Sequence, residues 1–268
     1  MLFHGLSAFP ITPADQQGRV NIDDLAVLLR RLGAAGVASV GLLGSTGSYM
    51  YLTRSERRRT VEAAVDCPGG STPIIVGVGA LRTDDAESLA RDAKAAGADG
   101  LLLAPVSYTP LNDEEVFQFF ASVAAATDLP LCVYNNPATT HFSFSNALLK
   151  RLAGVPNIVA VKNPALPPSE MRANHQVLQS MLPTHFAIGY SGDWHAPEAV
   201  LAGGVACYSV IAGLLPEPAL KLMQAAQTGD SAEMQRINSR AALISSRREI
   251  SRAPPIVRDS GGPSSSFT

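Results

Sequence analysis

The sequence predicts an α/β fold, a single (β/α)8 barrel. About eight times along the 268 residues, a short apolar run is followed by a turn and an amphipathic segment, and this number of βα units fits one barrel. The apolar runs lack the alternation of apolar and polar residues, which is typical of parallel strands buried on both faces. A doubly wound open sheet produces the same repeat and remains the structural alternative.

The predicted strands are the short apolar runs. The first is "GLSAF", which is ended by the "PITP" that follows it, and the sixth is "NIVAVKN", which contains a lysine. In chain order the predicted strands cover 5–9, 36–44, 73–80, 99–105, 129–135, 157–163, 185–190 and 204–210.

The predicted helices follow from apolar periodicity and from start signals. Leucine and isoleucine recur at helical spacing between residues 22 and 32, and Asn21 is placed to cap that helix. Thr53 and Glu56 have the spacing of a capping box. The predicted helices cover 21–32, 53–65, 85–96, 112–127, 145–153, 217–228 and 231–250.

The domain prediction divides the chain near its C-terminus. The barrel and its C-terminal helices are expected over 1–250. The segment 251–268 is rich in Pro, Ser and Gly and has no helical period, so we expect it to be extended or disordered.

Composition and charge exclude several classes of function. The formal net charge is −2, so no strong field calls for nucleic acid or an anionic membrane. No apolar run approaches the ~20 residues that span a bilayer, and the N-terminus does not have the pattern of a signal peptide. Cys67, Cys132 and Cys207 are far apart and lack a metal or redox spacing, which suits a reducing cytoplasm. The histidines show no ligand spacing either, so we expect no metal and no cofactor.

Active sites of such barrels lie at the C-terminal ends of the strands, and Lys162 lies at one of these ends. An amine buried behind Ile158, Val159 and Val161 favours its neutral form, which is a nucleophile that can form a Schiff base with a ketone. The alternative is a structural lysine whose amine reaches the rim or pairs with a carboxylate.

Two other strand ends carry polar groups. Tyr134 ends the preceding strand and could relay protons beside the amine, although a rim tyrosine with a structural partner has the same sequence pattern. In "GSTGS", Gly44 and Gly47 let the backbone expose N–H groups next to the hydroxyls of Ser45 and Thr46. Such a turn can hold a small carboxylate or a phosphate, and it can also be an ordinary βα turn.

These segments occur in an order that resembles the dihydrodipicolinate synthase / N-acetylneuraminate lyase family of class I aldolases. The similarity extends from about Gly5 to Arg240 and includes the "SGD" at 191–193. It is carried by "GSTGS", "YTP", "YNNP" and "VKN".

The resemblance implies a homo-oligomer, a dimer or tetramer, that forms an imine between Lys162 and pyruvate. It implies that Tyr134 transfers protons and that Ser45 and Thr46 bind the carboxylate. Tyr108 matches a tyrosine that crosses a dimer interface in the synthase branch and joins Ser45 and Tyr134 in a hydroxyl relay. The remaining expected substrate-binding residues are Gly44, Thr139, Gly192 and Tyr208.

The sequence departs from the family pattern at Ser48, Thr139 and Asn163. The family has Glu at the first position, the synthase has a carboxylate-binding Arg at the second, and Glu is usual at the third. A missing arginine removes bidentate carboxylate recognition. We therefore expect a second substrate other than aspartate semialdehyde, as in a sugar-acid aldolase or dehydratase. A true dihydrodipicolinate synthase, a catalytically degenerate 2-oxo-acid-binding barrel and a phosphate-binding barrel remain the alternatives.

Overall fold

A computed structural model describes residues 1–67 and 72–237. Eight parallel strands close into a barrel in chain order, with β8 paired to β1. The predicted (β/α)8 barrel is therefore confirmed, and the open sheet is excluded. The strands are β1 Gly5–Ala8, β2 Ser39–Leu42, β3 Ile74–Gly77, β4 Gly100–Leu103, β5 Leu131–Tyr134, β6 Ile158–Pro164, β7 Ala187–Ser191 and β8 Ala206–Ser209.

Helices surround the barrel, and a 3-10 turn, Tyr49–Tyr51, follows β2. The helices are α1 Ile22–Ala35, α2 Arg54–Val65, α3 Thr83–Ala95, α4 Asp113–Ala125, α5 Pro137–Thr140, α6 Asn146–Leu152, α7 Pro168–Met181, α8 Ala196–Leu201, α9 Ile211–Leu214 and α10 Pro216–Thr228. Residues 231–237 are also helical. The rest of the predicted last helix and the tail 251–268 lie outside the described residues.

The helix start signals in the sequence have the expected local structure. Asn21 caps α1 by accepting from the backbone N–H groups of Asp23 and Asp24. Thr53 caps α2 by accepting from the N–H of Glu56. The Glu56 carboxylate turns instead to the backbone N–H of Val20, so the capping box is only half formed.

Two kinds of element differ from the prediction. β2 starts at Ser39 because α1 continues to Ala35 and ends at Gly36, whose φ of 83° is the left-handed C-cap conformation. The predicted helices omit α5, α7, α8 and α9. Three of these are short, and the apolar face of α7 is sparse, with His175 between Met171 and Leu178.

The core has an inner and an outer layer. The interior of the barrel is filled mainly by aromatic and small side chains, and the larger outer layer joins the strands to the helices. On β6, Ala160 belongs to the interior, whereas Ile158 and Val161 belong to the outer layer. Lys162 follows Ala160 by two residues and therefore points inward. The register of the strands thus aims the amine into the barrel mouth.

Candidate active site

The amine of Lys162 lies in an enclosed aromatic environment. The residue is only 4% exposed. Its Nζ lies 3.7 Å from the centroid of the Phe9 ring and 4.1 Å from that of Tyr134. Within 1–67 and 72–237, Nζ has neither a hydrogen-bond acceptor nor an ion-pair partner. This placement disagrees with a structural lysine that reaches the rim or pairs with a carboxylate.

Tyr134 is the direct neighbour of Lys162 across the sheet. The two residues are register partners on β5 and β6, and the backbone N–H after Tyr134 donates to the Lys162 carbonyl at 2.9 Å. Tyr134 is buried, and its phenolic oxygen accepts a hydrogen bond from Asn136 Nδ2 at 2.9 Å. The arrangement holds a phenol and an amine side by side inside the barrel mouth.

Phe9 packs against the Lys162 amine and against the glycines of β2 and the turn after it. A methyl group placed on Gly41 would lie 2.2 Å from Phe9 Cζ, and one placed on Gly44 would lie 2.9 Å from Phe9 Cδ1. Both positions therefore need glycine to admit the ring. Because the ring touches both Gly44 and the Lys162 amine, it places the turn after β2 beside the lysine.

The turn after β2 offers free donors. Gly47 and Ser48 donate their N–H groups back to the carbonyls of Gly44 and Ser45, at 3.0 and 3.1 Å. The N–H groups of Ser45 and Thr46 have no backbone or side-chain acceptor in the part of the chain that the structure describes. Ser45 is exposed and Thr46 half-buried, so a small anion can reach both.

A buried cation, Arg57, joins the end of β3 to the 3-10 turn that follows β2. Arg57 donates to the carbonyls of Gly79 and Gly77, at 3.1 and 2.8 Å, and its guanidinium lies over the Tyr49 ring at 5.0 Å. Burial lowers the pKa of Arg57 to about 10 and raises the pKa of Tyr49 to about 12.

Asp193 joins the ends of β7 and β8. Its carboxylate accepts from the Ser209 hydroxyl and from the backbone N–H groups of Val210 and Ile211. Burial raises the pKa of Asp193, although these hydrogen bonds and the charge of Lys162 oppose the rise. Its contacts are those of a residue that fixes two loops at the rim.

Other predicted residues are distributed around the mouth. Thr139 is exposed on α5, and Gly192 is exposed with φ of 104°. Tyr208 lies inside the barrel, with its ring centroid 5.6 Å from Lys162 Nζ and its hydroxyl 3.6 Å from Cys132 Sγ. Burial raises the pKa of Tyr208. Tyr108 is 96% exposed, so the single chain does not bring it to Lys162.

Asn163 lies at the buried position where the family usually has Glu. Its Oδ1 accepts from Asn135 Nδ2 at 2.9 Å, which ties β5 to β6 directly above the Tyr134–Lys162 pair. The Asn163 Nδ2 and Asn135 Oδ1 atoms are buried and have no hydrogen-bond partner among the residues that the structure describes. The two facing side chains are therefore a neutral amide pair.

Sequence reasoning missed Phe9 and Asn136 as residues of the site. Phe9 directly follows β1, so the rule that selects strand ends could have found it. Asn136 lies inside the quoted "YNNP" segment, but its contact with Tyr134 depends on the bend that begins α5 at Pro137.

The described residues form no metal-binding group at the barrel mouth. His, Cys, Asp and Glu side chains within 1–67 and 72–237 form no group of three that could hold a metal ion. Cys67, Cys132 and Cys207 are buried thiols. None of the helices in these ranges has both the length and the apolar content needed to cross a membrane.

The fold and the site define a class: a (β/α)8 barrel with a buried lysine and tyrosine paired at the C-terminal ends of neighbouring strands. The sequence model of the Dihydrodipicolinate synthetase family matches residues 2–259. The chain belongs to this family, whose members are lyases of the aldolase type, and the protein is an enzyme of that type.

Individual relatives agree with this assignment. The 4-hydroxy-tetrahydrodipicolinate synthase of Phenylobacterium zucineum is 33% identical over 230 residues, 85% of this chain and 76% of the relative. A dihydrodipicolinate synthase structure from Agrobacterium tumefaciens is 55% identical, with a TM-score of 0.89 over 93% of this chain and 85% of that one.

A third relative was solved with a small molecule. It is a prophage protein of the dihydrodipicolinic acid synthase family from E. coli K12 in complex with pyruvate. It is 27% identical, with a TM-score of 0.83 over 92% of this chain and 83% of that one.

Proposed function

We propose that Lys162 forms a Schiff base with the C2 carbonyl of pyruvate or a related 2-oxo acid. The observation that carries this proposal is a buried amine, enclosed by the rings of Phe9 and Tyr134, to which the described residues offer no hydrogen-bond acceptor or ion-pair partner. The faces of these rings suit the cationic iminium that the reaction produces. The pyruvate bound to the E. coli family member supports the same class of substrate.

The carboxylate of the 2-oxo acid would bind at the turn after β2. The free N–H groups of Ser45 and Thr46, with their hydroxyls, are donors of the kind that hold a carboxylate. The Phe9 ring connects Gly44 to the lysine, so an anion bound at the turn would present its neighbouring carbonyl to the amine.

Tyr134 would move the protons. The amine adds to C2, and the resulting hydroxyl leaves as water after taking the phenolic proton of Tyr134. The phenolate then removes a proton from C3 and converts the iminium to an enamine. The enamine carbon can form or break a C–C bond, or expel a β-hydroxyl, and water finally hydrolyses the imine.

We further propose that the second substrate is an uncharged hydroxy aldehyde, as in a sugar-acid aldolase, rather than aspartate semialdehyde. In a dehydratase the 2-oxo acid would itself be a deoxy sugar acid that loses its β-hydroxyl. The exposed hydroxyl of Thr139 lies where the synthase has a carboxylate-binding arginine, and the Asn135–Asn163 pair is neutral. Hydroxyl and amide groups match a polyhydroxylated substrate.

A true dihydrodipicolinate synthase is the second candidate, because the curated relatives carry the name 4-hydroxy-tetrahydrodipicolinate synthase. A binding barrel without turnover is the third, motivated by Ser48, Thr139 and Asn163.

We also propose a cytoplasmic homo-oligomer, because the buried cysteines are unpaired and Tyr108 is free to reach a second subunit.

A turnover panel separates these candidates. Purified protein is assayed with pyruvate plus aspartate semialdehyde, with pyruvate plus neutral sugar aldehydes, and with 2-oxo-3-deoxy sugar acids, each beside Lys162→Ala. Lysine-dependent turnover of the sugar compounds supports the proposal. Preference for aspartate semialdehyde identifies the synthase, and binding of pyruvate without any turnover identifies the degenerate barrel.

A further inference from the structure

One amide group connects the proposed proton-transfer residue to the rim. Asn136 Nδ2 donates to the phenolic oxygen of Tyr134 at 2.9 Å and to Thr139 Oγ1 at 2.7 Å. An amide nitrogen carries two hydrogens, so these two bonds use its full donor capacity. The three side chains therefore form one hydrogen-bonded unit, Thr139–Asn136–Tyr134.

The backbone around Asn136 holds this amide in place. The backbone carbonyl of Asn136 accepts from the N–H groups of Thr139 and Thr140, each at 3.0 Å, and from the Thr140 hydroxyl at 3.0 Å. Pro137 fixes the start of α5 immediately after it. These contacts restrict the backbone at Asn136 and so fix the position of its side-chain amide.

The direction of the Asn136–Tyr134 bond determines what the phenol can do. An amide N–H can only donate, so the phenolic oxygen accepts and its own hydrogen must point elsewhere. The described residues offer that hydrogen no other acceptor, and the Tyr134 ring lies 4.1 Å from Lys162 Nζ. The hydrogen is therefore free to point towards groups attached to the amine.

From this geometry we propose that Asn136 is a positioning residue, which aims the Tyr134 proton at the Lys162 adduct and stabilises the phenolate formed after its transfer. The inference rests on the proposed function. In the step concerned, the C2–OH bond of the adduct breaks and the hydroxyl takes the phenolic proton to leave as water. The phenolate and the iminium remain as an ion pair, and the Asn136 N–H donates to the phenolate oxygen.

Thr139 completes the unit at the rim. Its Oγ1 accepts from Asn136, so the Thr139 hydrogen is free to meet a substrate oxygen. A substrate oxygen bound to Thr139 would thus be connected to Tyr134 by hydrogen bonds through the Asn136 amide.

The test measures how fast the imine forms. Protein is mixed with saturating pyruvate, quenched with borohydride after varied times, and analysed for covalent label by intact mass. Asn136→Ala should slow labelling at least about tenfold, the value of one hydrogen bond to a charged oxygen, here the developing phenolate, expressed as a rate. Asn136→Asp should slow it further, because its carboxylate accepts the phenolic proton and turns it away from the adduct. The pyruvate concentration for half-maximal labelling should change little.

A double-mutant cycle separates positioning from structure. In a Tyr134→Phe background there is no phenolic proton to aim, so adding Asn136→Ala should cause no further slowing. Asn146→Ala, which replaces an exposed asparagine on α6, is the matched control and should label at the wild-type rate. Melting temperatures confirm that each variant is folded.

The outcomes are distinguishable. Equal labelling rates in wild type and Asn136→Ala would overturn the inference alone. Equal slowing by Asn136→Ala with and without Tyr134 would also overturn it, because the effect would then be structural. Failure of the folded wild type to become labelled would overturn the proposed function, and this inference with it.

Discussion

Tyr134 and Lys162 are register partners on β5 and β6, with the lysine Nζ 4.1 Å from the centroid of the tyrosine ring. Neighbouring parallel strands place paired residues side by side on one face of the sheet. In a closed barrel that face is the interior, so both side chains enter the same enclosed mouth. The chemistry proposed for this protein depends on that pairing.

Replacement of Tyr134 by Phe should separate packing from proton transfer. The ring remains, so the melting temperature should change little; the loss of the Asn136 hydrogen bond costs about 1 kcal/mol. The value of kcat should fall about 100- to 10,000-fold, the usual contribution of a general acid or base. Steady-state kinetics with the best substrate of the panel measure this, and an unchanged kcat would contradict a proton-transfer role.

A methyl group at Gly41 should disturb the site through Phe9. In Gly41→Ala the added carbon would lie 2.2 Å from Phe9 Cζ, so the ring must move from its place beside Lys162. We expect a loss of about 1–3 kcal/mol in the free energy of unfolding and weaker pyruvate labelling. Urea denaturation measures the first effect.

The second substitution Phe9→Leu provides the control for this clash. In the double variant Phe9→Leu with Gly41→Ala, the smaller side chain makes room for the methyl group. Stability should recover part of the loss relative to Gly41→Ala alone. Additive losses in the double variant would show that the ring and the glycine are not coupled.

His175 should make stability depend on pH. Burial lowers the pKa of His175 from the ordinary value of 6.5, and its Nδ1 is hydrogen-bonded to the Tyr190 hydroxyl at 2.9 Å. Below about pH 6.5 His175 binds a proton in the unfolded chain but stays neutral in the folded protein. The free energy of unfolding should therefore fall as the pH drops through this range. Above that pH the contribution is complete.

Substitution of His175 checks this dependence. In His175→Gln the difference in unfolding free energy between pH 7.5 and pH 5.5 should become smaller. The decrease should be up to about 1.4 kcal/mol, the value of one proton over the pH unit between about 6.5 and 5.5. Tyr190→Phe keeps His175 buried and is the matched control, which should retain the wild-type dependence on pH. The same slope in His175→Gln as in the wild type would rule His175 out as the source.

The sequence was sufficient for the barrel and for the position of Lys162 and Tyr134 at neighbouring strand ends, because both depend on local patterns. Unalternating apolar runs predict strands, and strand ends select Lys162 and Tyr134. Phe9 also lies at a strand end, but its contact with the lysine depends on the missing side chains at Gly41 and Gly44, on a strand and a turn that are distant in the sequence. Asn136 escaped because a side-chain hydrogen bond cannot be read from composition, and Tyr108 depends on a second subunit that one chain does not contain.

The most direct test of the account is borohydride reduction in the presence of pyruvate, followed by peptide mass spectrometry. Lys94, Lys150 and Lys221 are exposed and serve as internal controls, whereas Lys162 is buried. The expected result is reduced pyruvate on Lys162 of the wild type, and no adduct on the other lysines or on folded Lys162→Ala. Folded wild-type protein that remains unlabelled, or that carries the label on an exposed lysine, would contradict it.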